Sequence, residues 1–64
     1  MRMMTIKQCA NFLNVSTTTI QRIIDNKQFC KTVKYGNKIR VSDKDFLSWV
    51  ETNEDTIIEY SIIE

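Results

Sequence analysis

A small α+β domain, ordered helix, helix, two-stranded hairpin, helix, is the fold the sequence predicts. Three observations predict it. Two capped amphipathic segments are separated by only three residues, a basic stretch of β-type residues surrounds the lone glycine at Gly36, and a third capped segment repeats Phe46, Trp49 and Val50 at helical spacing. With 64 residues the chain has room for one such core and no second, because a domain of about 60 residues buries only ~60% of the surface its unfolded chain exposes. A composition of 42% hydrophobic and 27% charged residues is too apolar for a disordered chain and too polar for one that lives in lipid.

The first helix opens at Thr5-Ile6-Lys7-Gln8, where the Thr5 hydroxyl can accept the Gln8 backbone N–H while the Gln8 side chain reaches back. Ile6, Ala10 and Leu13 then share one face, widened by Cys9 and Phe12, so a buried stripe runs through about Leu13. Asn14 stands where a left-handed residue ends a helix, Val15 turns inward, and Ser16 caps the next helix. So short a link makes the two helices meet steeply, which is helix-turn-helix geometry. The second helix spans Thr17 to Asp25 or Asn26, with Ile20, Ile23 and Ile24 on its inner face and Thr17, Thr18, Gln21, Arg22 and Asp25 on its outer one. Any surface helix has a polar face. This one is built of hydroxyls, an amide and a guanidinium near the helix start, groups that pair with base edges and phosphates.

A hairpin from Lys31 to Val41 follows, centred on Tyr35-Gly36-Asn37. A two-residue Gly36-Asn37 loop sets Val33 across from Arg40 and Lys34 across from Ile39, mixing apolar and charged groups on both faces. A three-residue loop with Asn37 in the left-handed region pairs Val33 with Ile39, keeps Val41 on the same face, and is the expected register. It leaves Thr32, Lys34, Lys38 and Arg40 together on the outer face, where some of the lysines also serve to protect an edge strand. The third helix begins with Ser42 as cap and Asp43 and Asp45 in its first turn, both favoured by the helix dipole. Trp49 is read as core, with Leu47 on the flank. Beyond Thr52-Asn53-Glu54-Asp55 a tail holds Ile57, Ile58, Tyr60, Ile62 and Ile63 and no basic residue, and both helix and strand fit it. Residues 1–53 are therefore expected to form the domain and residues 54–64 an acidic, isoleucine-rich tail whose apolar side chains need a cover.

The net charge of +1 conceals a division. Residues 1–42 hold eight basic side chains and one acidic, a balance of +7, whereas residues 43–64 hold one basic and seven acidic, a balance of −6. Such asymmetry accompanies nucleic-acid contact on one side and an acidic tail on the other. An enzyme is not expected. The chain has no histidine, a single glycine and therefore no phosphate-cradling loop, and no paired carboxylates in an apolar setting. Cys9 and Cys30 read as small hydrophobes rather than half of a zinc site, so no metal and no cofactor is expected. No apolar run approaches the ~18 residues of a membrane span. Met1-Arg2-Met3-Met4 leads into no apolar stretch that would make a signal peptide, and a cytoplasmic location is the expectation.

Helix, tight turn, helix, basic hairpin, helix is the order of a minimal winged helix-turn-helix. The run from Thr5 to Ile24, then Lys34-Tyr35-Gly36-Asn37-Lys38-Ile39-Arg40-Val41, then Phe46 with Trp49-Val50, resembles the excisionase-type DNA-binding domain, one of the mercury-resistance-regulator-like winged helices. The resemblance covers about residues 4–51. It implies a second helix in the major groove, a wing in an adjacent minor groove, and frequent bending of the DNA. Ser16, Thr17, Thr18, Gln21 and Arg22 are then the candidate recognition-helix residues, and Lys34, Asn37, Lys38 and Arg40 the candidate wing residues. Where the family has glycine after the recognition helix this chain has Asn26-Lys27, with Asn26 suited to a left-handed backbone. The family's proline before the wing is absent, and Gln21 stands where an aromatic is common.

The implied function is that of an excisionase, an architectural protein that binds attachment-site DNA and directs an integrase toward excision of a mobile element. A small transcriptional regulator of the same fold and a protein-interaction adaptor working through its acidic tail are the alternatives. The expected partners are double-stranded DNA, an integrase, and further copies of the chain on DNA, with no membrane. In that reading Ile57, Ile58, Tyr60, Ile62 and Ile63 form a partner-binding surface.

Overall fold

The computed structural model describes residues 2–62, and they form a small α+β winged helix-turn-helix. In chain order the elements are β1 (Met3–Thr5), α1 (Ile6–Leu13), α2 (Thr17–Asp25), β2 (Val33–Tyr35), β3 (Lys38–Ser42), α3 (Asp43–Thr52) and α4 (Glu54–Ile62). Strand β3 lies in the middle of a three-stranded antiparallel sheet ordered β1-β3-β2. The core gathers Cys9 from α1, Ile23 from α2, Val41 from β3, and Phe46 and Trp49 from α3. Phe29, in the α2–β2 connection, stacks its edge on Trp49 with ring centroids 4.8 Å apart.

Helix α1 begins as the sequence predicts. The Gln8 N–H donates to Thr5 Oγ1 at 3.0 Å and the Thr5 N–H donates to Gln8 Oε1 at 2.9 Å, so two of the orphan donors at the helix start are satisfied reciprocally. It ends at Asn14, which takes φ 57° and ψ 44°. The Asn14 N–H donates to the Asn11 carbonyl and the Val15 N–H to the Ala10 carbonyl, which is the paired closure that a left-handed residue permits. Ser16 caps α2, its Oγ accepting the Thr19 N–H at 3.2 Å. One expected member of the buried stripe differs: Phe12 is 57% exposed and meets the core only through its ring, at a centroid distance of 5.5 Å from Phe46.

At the end of α2 the left-handed residue is Lys27, at φ 58°, whereas Asn26 has φ −89° and ψ 6°. The Lys27 N–H donates to the Ile24 carbonyl and the Gln28 N–H to the Ile23 carbonyl, so the turn repeats the closure seen after α1, one position later than Asn26 would have made it. A side chain with a Cβ costs about 1–2 kcal/mol in that conformation. Because glycine also gains about 0.4–1 kcal/mol of freedom in the unfolded chain, Lys27→Gly is expected to stabilise the domain by a net ~0.5–1 kcal/mol. Thermal denaturation should show a rise of about 3–6 °C.

The hairpin departs from the expected register. Val33 pairs with Arg40, Lys34 with Ile39 and Tyr35 with Lys38, around a two-residue Gly36-Asn37 turn. Gly36 takes φ 60° and Asn37 stays outside the left-handed region, the combination of a type II′ turn with glycine first. The apolar pattern did not decide the register because it discriminates only where a face is buried. Strand β3 is fixed at its other end, where Val41 is fully buried and faces Met4 across β1. Toward the tip both faces meet solvent, so nothing there penalises a lysine beside Ile39.

One element is additional to the predicted ones, and one alternative is decided. Strand β1 pairs with β3 in the register Met3 to Ser42, Met4 to Val41 and Thr5 to Arg40, and the Arg2 carbonyl accepts the Asp43 N–H at 2.9 Å. The segment after Asn53 is a helix, α4, which packs against α2 and α3 with Ile57 and Tyr60 half-buried on the core. Gln28 joins three helices. Its N–H closes α2, its carbonyl accepts Trp49 Nε1–H at 2.9 Å, and its Oε1 accepts the Tyr60 hydroxyl.

Candidate nucleic-acid interface

The outer face of α2 is laid down by the same periodicity that buries its inner face. Ile20 and Ile23 are fully buried and Thr19 nearly so, which turns Thr17, Thr18, Gln21, Arg22 and Asp25 outward, all exposed. Thr19 is thus the hydroxyl of this helix that belongs to the interior, 3.3 Å from Ser16 Oγ. Ser16 is exposed and serves the cap. Among the described residues no carboxylate pairs with the Arg22 guanidinium.

On the wing the register separates what the sequence reading put together. Residues directly opposite in an antiparallel pair share a face, so Lys38 stands with Tyr35, and Arg40 with Val33 and Thr5, on one side of the sheet. Lys34 stands with Ile39 on the other, the side that carries Val41 toward the core. The expected single outer face of Thr32, Lys34, Lys38 and Arg40 is therefore replaced by a tip with cations on both faces. Lys34, Asn37 and Lys38 are exposed, and Arg40 is half-buried with its Nη1 donating to the Ile39 carbonyl at 2.9 Å. A thin ribbon charged on both faces suits a narrow groove, whose two walls both carry phosphates.

Helix α4 divides the candidate tail residues. Ile57 and Tyr60 turn inward, whereas Ile58 is 56% and Ile62 77% exposed, one turn apart on the outward face. Ile63 lies outside the described residues. Glu54, Asp55 and Glu59 are exposed around them.

Two further residues stand in this surface beside the candidate ones. Tyr35 is 60% exposed beside Lys38, and its signal was its place next to the turn. Asp25 accepts a hydrogen bond from Gln21 Nε2 at 3.1 Å. That pair was legible as an i, i+4 glutamine–aspartate spacing on one helix face.

Both thiols are free, and burial disfavours the thiolate in each: it pushes Cys9 up to about 11, and burial together with the nearby Cys9 pushes Cys30 up to about 12. Among the described residues no cluster of His, Cys, Asp or Glu could hold a metal, and no helix is long and apolar enough to cross a membrane. The domain measures 30 × 23 × 20 Å. One turn of B-DNA rises about 34 Å, so the domain is no longer than a single turn of duplex.

The model of one protein family, described as helix-turn-helix domain, matches residues 3–54. The match takes in every element from β1 to α3, and the first residue of α4. No curated protein and no solved structure matches the chain.

Proposed function

From the premise that the chain belongs to the helix-turn-helix domain family, a family of DNA-binding domains with excisionase-like members, we propose that it is an excisionase. It binds attachment-site DNA with α2 in the major groove and the β2–β3 wing in the adjacent minor groove, and directs an integrase toward excision. The observation that carries the reading is the exposed polar face of α2, with Arg22 unopposed among the described residues, on a body no longer than one turn of duplex. A wing with cations on both faces supports it.

In this reading Arg22 reaches a base edge, where a bidentate contact to guanine discriminates by about 1–3 kcal/mol. Arg22→Ala is expected to weaken binding to the specific site by that amount while leaving random duplex nearly unaffected. Competition titration separates the two. An equal loss on both duplexes reduces Arg22 to a phosphate contact.

The partner surface is the outward row of α4, Ile58 and Ile62, rimmed by carboxylates. Removing the whole tail is a poor probe of it, because Ile57 and Tyr60 cover the core. The double substitution Ile58→Ser with Ile62→Ser spares that packing. We expect it to leave DNA binding intact and to abolish integrase-dependent excision, or the loading of further copies, in a reconstituted reaction on attachment-site DNA. If excision neither needs the protein nor responds to the substitution, while transcription from the bound site does, the chain is a small regulator. If DNA is not bound at all, the adaptor reading takes its place.

A further inference from the structure

Asp25 is the lone carboxylate among residues 1–42, and it stands on the face proposed to meet DNA. Its position is unfavourable twice over. A negative charge in the last turn of a helix opposes the helix dipole, and beside a duplex it is repelled by phosphate. What the carboxylate does in this structure is accept a hydrogen bond from Gln21 Nε2 at 3.1 Å, one helical turn away.

That bond fixes which way the Gln21 amide points. With Oε1 turned to Asp25 two acceptors would face each other, so the amide holds its nitrogen toward the carboxylate and presents Oε1 with its remaining N–H outward. Glutamine reads adenine by accepting from N6 and donating to N7, which uses Oε1 and a single N–H. An amide nitrogen carries two, so the bond to Asp25 and the contact to adenine are compatible. Donation to a carboxylate also polarises the amide and makes Oε1 the stronger acceptor. A free glutamine would have to select both its rotamer and its flip on binding, at the cost of side-chain freedom.

We propose that Asp25 is a positioning residue for base recognition, holding Gln21 in the orientation that selects adenine. The proposal rests on the reading that α2 enters the major groove. The Asp25 carboxylate itself touches no base.

Random duplexes enriched on the wild-type chain define the site, and the same enrichment with Gln21→Ala identifies the position that Gln21 reads, where a bidentate contact gives roughly 5- to 150-fold preference. Asp25→Ala is expected to reduce the adenine preference at that same position about two- to fivefold while raising affinity for all duplexes, since one repelling charge is gone. Asp25→Asn keeps an acceptor without the charge, and is expected to raise affinity and retain the preference. Circular dichroism confirms that the variants fold, and relief of the helix dipole favours both. The proposal is overturned if Asp25→Ala leaves the preference unchanged, if Asp25→Asn loses it as Asp25→Ala does, or if Gln21→Ala relaxes no adenine position. A wild-type chain that enriches no sequence overturns the function reading itself and this inference with it.

Discussion

Phe46→Ala is expected to remove a large part of the stability of the domain. Phe46 is completely buried, and its ring touches three others: Phe12 at 5.5 Å, Phe29 at 6.1 Å and Trp49 at 6.3 Å between centroids. Removing a buried phenylalanine costs about 3–5 kcal/mol, through lost transfer energy and the cavity left behind. A domain of this length has a total stability of only about 3–10 kcal/mol. The loss is therefore about a third of the whole or more. Collapse around the cavity is limited because the four rings come from α1, the α2–β2 connection and α3, and none can move without disturbing the other elements. Leu47, the next residue, is 44% exposed, and Leu47→Ala is expected to cost under about 1 kcal/mol, as surface changes do. Thermal melts of the two variants should separate by tens of degrees. A shift of only a few degrees for Phe46→Ala would show that the aromatic cluster is not what holds the domain together.

The second large effect is on DNA affinity as salt is raised. Lys7, Lys34, Lys38 and Arg40 offer about four phosphate contacts, and each contact contributes a slope near 0.9 to a plot of log affinity against log salt. Affinity is expected to fall roughly 150-fold between 50 and 200 mM salt. Among the described residues none of these side chains is held in an ion pair, though Arg40 Nη1 donates to the Ile39 carbonyl. Most of the loss should appear on specific and random duplex alike, because phosphates carry no sequence. Filter binding or anisotropy across a salt series measures the slope directly. A slope near zero would remove the electrostatic basis for DNA binding, and the adaptor reading would then be preferred.

Local chemistry determined the helix-turn-helix. Thr5 and Gln8, Asn14, and Ser16 act on backbone groups within three or four residues of themselves, and a cap, a left-handed stop and an apolar period need no knowledge of the rest of the chain. The polar face of α2 followed from the burial of Ile20 and Ile23, and the third helix from Ser42, Phe46 and Trp49. The features that tertiary structure decided depend on contacts between residues distant in sequence. Strand β1 has only three residues and no alternation of its own. It is held where Met4 lies across from Val41 and both pack on the core. The hairpin register was fixed by the same anchoring and by Gly36, so that Lys34 parts from Lys38 and Arg40, a division no apolar count at an exposed tip could reveal. The tail showed the same limit. Its isoleucines fit a helix or a strand equally well, and the choice was made by the space over α2 and α3 that Ile57 and Tyr60 fill, with Tyr60 donating to Gln28 thirty-two residues back. A sequence carries its short-range hydrogen bonding explicitly. Which apolar face is covered, and by what, is settled only when the elements share one core.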